Sequence, residues 1–435
     1  FGKHRFKMVL GARNIGKASK RVVDMTSRYL SDSIRLSSVV ESLKASGIRD
    51  IMLRASELEL SSLPRELIRL EVGQPNFNTP AHIVDATITA LQNNKTAYIP
   101  NAGSTQLRQA ISDHYCSQGI PTTPSQIIVT TGSMLSMFSL AMTLLQPGDE
   151  CLHPLPGFGN YQQISSLVHC ISIPYLCRPS DGYLPRVSEI EKLIGPKTKC
   201  MVICNPGNPT GAVFNKNLLV DLLQLCKERN VFVISDEIYS DIVFDSKHTC
   251  AASLEDFGDS ANSKVAVVSG VSKGYAMTGY RVGWTRCNPN LVLQLSKLQE
   301  PIVSCGVPFA QEAAIAALKG PQECVRDMKE AYRQRRDAAL QVLADRGRPA
   351  DYIPGGAFYL PVDISKSGMD SKSFALKLLT EHQCAVAPGI AFNTADNATP
   401  EELAVLDSFC RVSLANSQPH VVQGIHRICD LLDSC

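Results

Sequence analysis

Four short apolar runs punctuate the chain, each rich in branched residues: QIIVTT ending at Thr131, CMVIC ending at Cys204, VFVIS ending at Ser235 and VAVVS ending at Ser269. Runs of this length without polar alternation predict strands buried on both faces. Between them lie stretches of helical periodicity, such as NLLVDLLQLCKER from Asn217 to Arg229, in which Leu218, Leu222 and Leu225 recur along one face. Strands alternating with helices predict a mostly parallel sheet covered on both sides, an α/β architecture. Ligands of such sheets bind beyond the carboxyl ends of the strands. Each run leads directly into a polar cluster: GSM (Gly132 to Met134), NPGNPTG (Asn205 to Gly211), DEIY (Asp236 to Tyr239) and GVSKGYAMTGYR. Four such clusters at four strand ends are expected to converge on one site.

Composition narrows the class of site. The 435 residues suffice for two or three domains, and 44% apolar with 19% charged residues describes a globular chain. With 43 Lys+Arg against 41 Asp+Glu, the net charge of +2 gives no electrostatic case for nucleic acid, while a local positive pocket for a phosphorylated small molecule remains open. Residues 1 to about 70 contain no helix-turn-helix followed by a long linker, which sets aside a DNA-binding regulator. No window approaches the roughly 18 consecutive apolar residues of a membrane span, so no membrane partner is expected. The 15 cysteines are odd in number and scattered singly, without a C-x-x-C pair. That pattern points to reduced thiols inside a cell, away from a disulfide framework and from any metal site. The amino end carries Lys3, Arg5, Lys7, Arg13, Lys17, Lys20 and Arg21 with no acid before Asp24. This suits a transit remnant or a basic surface arm equally, so a cytoplasmic location is expected with an organellar one left open.

The richest chemistry lies in SKGYAMTGYRVGW, from Ser272 to Trp284. A lysine in a polar loop is usually a solvated charge. Lys273, however, is surrounded by Gly274, Ala276 and Gly279, with Ser272 and Thr278 able to donate hydrogen bonds and Arg281 able to grip a phosphate with its planar fork. A lysine packed among apolar residues near a phosphate has its ammonium form disfavoured, which frees a nucleophilic amine for Schiff-base chemistry.

This stretch resembles the cofactor-lysine signature of class I/II aminotransferases of pyridoxal-phosphate fold type I, the aspartate aminotransferase-like superfamily. NPGNPTG and DEIY resemble its companion motifs in the same order. LEVGQPNFNTP, YIPNAGSTQLR, PLPGFGNY, APGIAF and RVSLANS match further family positions, so the similarity runs from about residue 70 to the carboxyl end. The resemblance implies a large domain over 81–318, with a mostly parallel sheet covered by helices. It also implies a smaller α+β domain built from 35–80 and 319–435, preceded by a basic arm over 1–34.

It further implies an amino-group transferase that exchanges the amino group between an amino acid and a 2-oxo acid by a ping-pong mechanism, with pyridoxal 5'-phosphate as cofactor. Lys273 would hold the cofactor as a Schiff base and move the α-proton, and Asp236 would pair with the pyridine nitrogen so that the ring accepts electrons. Asn208 and Tyr239 would bond the cofactor's phenolate oxygen, and Phe158 would stack on its ring. Ser133 and Met134 would offer backbone N–H groups to the phosphate at the start of the apolar helix MLSMFSLAMTLL, joined by Ser272 and Arg281. Tyr98 would reach the phosphate of a neighbouring subunit in a homodimer with shared active sites. Arg411 would clamp the substrate's α-carboxylate, with Gly73 and Asn208 beside it.

Four local alternatives stand against these roles: a helix cap for Asp236, a core side chain for Phe158, an ion pair at a strand edge for Arg411 and a tight turn for Gly73. Elimination from cysteine conjugates and oxidation are known on the same scaffold and form the alternative activity. Two departures stand out. Many relatives that act on dicarboxylates carry a second basic residue, some of them in the segment corresponding to KLQEPIVSCGVPFAQ, which here has no arginine after Lys297, so aspartate or glutamate is not the expected donor unless the amino-terminal arm or ASELELSSLPRELI supplies the charge. Asn76 replaces the acidic residue of the G-x-P-D-F pattern.

Overall fold

The computed structural model describes residues 34–61, 63–254, 263–394 and 398–435. The basic stretch expected as an arm or transit remnant lies, up to residue 33, outside the described residues. The described residues divide into two compact units, those up to Leu43 and those from Lys44 to Cys435. In the first, a short helix, Ser38–Ser42, ends with the Ser42 hydroxyl donating to the Val39 carbonyl. All that follows concerns the second.

Along this unit, β1 (Ile68–Arg69) precedes the seven strands of the main sheet. These are β2 (Ile127–Thr130), β3 (Glu150–Leu155), β4 (Ile171–Leu176), β5 (Thr198–Cys204), β6 (Phe232–Asp236), β7 (Val265–Gly270) and β8 (Gly283–Arg286). They are ordered β2-β8-β7-β6-β5-β3-β4. Only β8 runs against its neighbours, so the sheet is mostly parallel, as the alternating pattern predicts.

The unbroken apolar runs follow from two-sided burial. Val129, Met201, Ile203, Val233 and Val267 face a core shared with Leu219 and Leu222 of the helix Lys216–Glu228. Ile128, Val202, Ile234, Ala266 and Val268, one position along, face a second core with Met137 and Leu140 of the helix Ser133–Leu144. Neither side of the sheet meets water, so neither side needs polar residues. The helices begin within a residue of where the sequence pattern places them. Asn215 and Asn288 cap their helices by accepting from Leu218 and Leu291 N–H groups.

A second body of structure is built on β9 (Tyr359–Asp363), β10 (Cys384–Ala385), β11 (Ala387–Pro388) and β12 (Phe409–Ser413). The order β11-β12-β9 is antiparallel, and β10 pairs with β1 in parallel. The helices Glu323–Asp345, Ser371–His382 and Gln418–Asp433 pack on these strands through a core that includes Tyr332, Phe374 and Ile428. The helix Gly47–Glu59 is tied to β1 by Arg69, whose guanidinium donates to Glu59 at 3.0 Å and to the Met52 carbonyl at 3.3 Å while pairing with buried Glu71.

Asn76 acquires a physical reading here. Its side-chain oxygen accepts from Arg335 at 2.8 Å, and that guanidinium also donates to the Leu414 carbonyl and lies 4.8 Å from the Phe77 ring centroid. Arg335 forms no salt bridge among the described residues, and burial lowers its pKa. An acid at position 76 would turn a neutral acceptor into a charged one. We expect Asn76→Asp to raise unfolding stability by about 1 kcal/mol, read as a higher urea midpoint at unchanged slope.

Candidate active site

The carboxyl ends of β2, β5, β6 and β7 open onto one cavity of about 780 Å³. Ser133 and Met134 line it from the start of the helix after β2, Asn208 from the loop after β5, and Asp236 and Tyr239 from the end of β6 and beyond. Ser272, Lys273 and Arg281 enter from the loop after β7, Phe158 from the loop after β3, and Gly73 and Arg411 from the second body of structure. The four polar clusters thus converge as the sequence pattern predicts. Tyr98 does not join them: it is 89% exposed and lies away from the cavity lining.

Lys273 is the cavity's central cation. Its Nζ donates to the Gly73 carbonyl at 2.6 Å and lies 5.8 Å from the ring centroids of Tyr239 and Phe358. Burial, and then repulsion from Arg411 and Arg281, pushes its pKa down to about 8, with Asp236 acting weakly in the opposite direction. Desolvation is the leading cause, so the amine is activated by its partial burial.

Asp236 is the complementary case. Its Oδ2 accepts from the Tyr161 hydroxyl at 2.8 Å and its Oδ1 from the Ile238 N–H at 3.2 Å. Burial still raises its pKa to about 6, and it forms no salt bridge among the described residues. A buried carboxylate without a counter-ion is costly unless a cation completes it. No helix follows it, so Asp236 is not a helix cap; the DEIY segment runs on as turns.

The opposite end of the cavity is shaped for a phosphate. Gly132, with φ of 77°, offers no side chain to cap the helix Ser133–Leu144, so its first N–H groups remain unclaimed by a cap. A Cβ on Gly132 would collide with the Arg281 guanidinium, and one on Gly283 would stand 2.5 Å from the Ser133 nitrogen. Arg281, itself at φ 57°, donates to the Thr278 carbonyl at 3.0 Å and pairs with no carboxylate among the described residues. A helix amino terminus beside an uncommitted guanidinium is a dianion receptor. Phe158 lines the cavity and meets the Tyr161 ring edge-on at 5.9 Å.

Arg411, in β12, is only 2% exposed. It donates to the Asn208 side-chain oxygen at 2.9 Å and to the Glu71 carbonyl at 2.6 Å, lies 4.3 Å from the Tyr359 ring centroid, and keeps an unpartnered Nε. No carboxylate pairs with it among the described residues, so it is not part of a strand-edge ion pair. A Cβ on Gly73 would lie 2.6 Å from the Tyr359 hydroxyl, which itself bonds the Tyr239 hydroxyl at 2.6 Å.

Sequence reasoning missed Tyr161 and Tyr359. The first stands in PLPGFGNY and was readable there as a member of the motif. The second had no local signal, since its partner Tyr239 is 120 residues away in the chain.

A part-buried amine of lowered pKa, an unpaired buried carboxylate, a phosphate receptor and a buried guanidinium fit pyridoxal phosphate together with a substrate carboxylate. They define a pyridoxal-phosphate site of fold type I. Residues 65–428 match the family described as aminotransferase class I and II. Among curated relatives, the chain is 33% identical to a probable aspartate/prephenate aminotransferase of Aquifex aeolicus, covering 90% of this chain and 97% of that protein. It is 34% identical to an arginine–pyruvate transaminase of Pseudomonas aeruginosa, covering 75% and 82% respectively. The fold superposes on the aromatic aminotransferase of Pyrococcus horikoshii with a TM-score of 0.79 at 31% identity, over 87% of this chain and 99% of that one. The chain belongs to the class I and II aminotransferase family and is a pyridoxal-phosphate-dependent aminotransferase acting on amino acids and 2-oxo acids. No helix among the described residues is long and apolar enough to cross a membrane.

Two outcomes follow from the buried charges. At pH 7 a lysine with a pKa of about 8 is neutral in about one-tenth of molecules, against about three in ten thousand for an ordinary value of 10.5. The rate at which apoprotein captures pyridoxal phosphate, followed by its absorption band and by borohydride trapping on Lys273, should therefore rise with pH and level off above about 8.

For Asp236 the shift is from 3.8 to about 6. The folded carboxyl holds its proton more tightly than the unfolded one, so stability is lost as pH rises through this window. In cofactor-free protein, Asp236→Asn should be more stable than the parent by about 3 kcal/mol at pH 8, with the difference vanishing by about pH 3. Denaturant titration at the two pH values checks this.

Proposed function

We propose that four groups of this cavity divide the work of amino-group transfer. Bound pyridoxal phosphate supplies an aldehyde that takes up the amino group and a ring that accepts the electron pair left by the departing α-proton. Arg411, already bonded to Asn208, fixes the substrate's α-carboxylate and so aims the Cα–H bond at Lys273. Lys273 Nζ takes that proton and returns it, which an amine of near-neutral pKa does efficiently. Asp236 faces the ring nitrogen and holds its proton, with Tyr161 fixing the carboxylate in turn. Asn208 and Tyr239 bond the ring's phenolate oxygen, and Phe158 covers a ring face. Ser133, Met134, Ser272 and Arg281 hold the phosphate. The observation that carries this reading is the burial of Lys273 in one cavity with an unpaired Asp236 and an unpaired Arg411.

The division into a large domain over 81–318 and a small domain from 35–80 and 319–435 belongs to the same proposal, with the site between them. A homodimer is proposed too. Tyr98 and the apolar row Val84, Ile88 and Leu91 are exposed, which suits burial against a second copy and a reach by Tyr98 to the partner's phosphate. Fifteen free thiols, most of them buried, suit a reducing cytoplasmic or organellar compartment.

The test is an absorbance screen of the cofactor-loaded protein against single amino acids without an acceptor. One equivalent of a suitable donor should abolish the visible band, with release of its 2-oxo acid, and adding a 2-oxo acid should restore the band. Steady-state rates with both substrates should give parallel double-reciprocal lines. A band that survives every amino acid would overturn the proposal, as would release of pyruvate and ammonia without an acceptor.

A further inference from the structure

The names carried by the relatives point to acidic, basic and aromatic amino acids alike, so the donor has to be read from this chain's own cavity. Besides the groups already assigned, that cavity is lined by a short stretch from the start of the helix Gly47–Glu59 and the residues before it. Two of these are cations, Lys44 and Arg49.

Among the described residues the lining therefore contains five cationic side chains, Lys44, Arg49, Lys273, Arg281 and Arg411, against the single carboxylate of Asp236. On the reading of the site proposed above, most of these have an assigned partner. The cofactor phosphate, at about −1.5 to −2, faces Arg281. Lys273 is bonded to the cofactor, the ring nitrogen answers Asp236, and the substrate's α-carboxylate answers Arg411. Arg49 is left with no anion. It forms no hydrogen bond or ion pair among the described residues, and it is exposed to the cavity. Of the three acids of its own helix, Asp50 pairs with Arg54 at 3.0 Å and Glu59 with Arg69 at 3.0 Å, and Glu57 forms no ion pair with Arg49 among the described residues. Beside it the cavity wall is apolar, formed by Ile48 and Met52.

We propose that Arg49 determines specificity by binding the side-chain carboxylate of a dicarboxylic amino acid, and of the matching 2-oxo dicarboxylic acid, while Arg411 holds the α-carboxylate. This proposal rests on the aminotransfer reading of the site. It supplies the second basic group that the segment after Lys297 lacks, and supplies it from outside both stretches that the sequence suggested as alternatives. A guanidinium suits the task because its fork engages both oxygens of a carboxylate. A neutral side chain gives that guanidinium nothing to pair with, whereas a carboxylate completes it. Lys44 adds to the positive field that draws a doubly charged substrate into the cavity.

The test measures a specificity ratio and, separately, binding. With cofactor-loaded protein, kcat/KM is compared for glutamate, aspartate and alanine. Arg49→Gln should lower the ratio of the better dicarboxylic donor to alanine by about tenfold or more, mainly through KM, and Arg49→Lys should retain part of it. Arg49→Glu should turn the preference toward a donor with a cationic side chain. Titration calorimetry with succinate, which has no amino group to transfer, should give a Kd about tenfold weaker in Arg49→Gln than in the parent. An unchanged ratio, or equal succinate binding in parent and variant, overturns the assignment. Absence of transfer from every amino acid would instead defeat the aminotransfer reading, and the succinate titration would still report on Arg49.

Discussion

The structure depends on keeping charges of both signs dry and incompletely paired at the edge of one sheet. Asp236 and Arg411 are both buried, and neither forms a salt bridge among the described residues. Each is held by neutral partners instead: Tyr161 and the Ile238 N–H for the carboxylate, Asn208 and the Glu71 carbonyl for the guanidinium. Such placement costs several kcal/mol per ion, and the fold sustains it through cores on both sides of the main sheet. The uncompensated charge is what makes the cavity receptive, because a ligand bearing the complementary groups relieves it on entry.

The sheet decides where such groups can stand. Its strands pack against helices on both faces, with neighbouring residues such as Val267 and Val268 facing opposite cores. Polar side chains are therefore excluded from the strand interiors and gather where the strands end. Burial of the middle and chemistry at the tips are two results of one arrangement.

Much of this was legible along the chain, for a physical reason. The run VFVIS followed by Asp236, and VAVVS followed by Ser272 and Lys273, carry both the strand and the group it delivers within a few residues. Contacts between distant segments left no such mark. The Tyr239–Tyr359 hydrogen bond joins positions 120 residues apart, and the Arg335–Asn76 bond spans 259. Arg49 was overlooked because a charged residue at the start of an amphipathic helix looks like any solvated face. Only the folded chain brings that helix end to the cavity. Asp236 lines the cavity, and the segment after it forms turns rather than the helix that a capping role requires.

The hydrogen bond from Lys273 Nζ to the Gly73 carbonyl joins positions 200 residues apart. An amine bonded to a cofactor would have fewer hydrogens to give, so this contact would weaken. Gly73 lies two residues from the Glu71 carbonyl that accepts from Arg411. The nucleophile and the carboxylate clamp are thereby tied to the same short stretch of backbone.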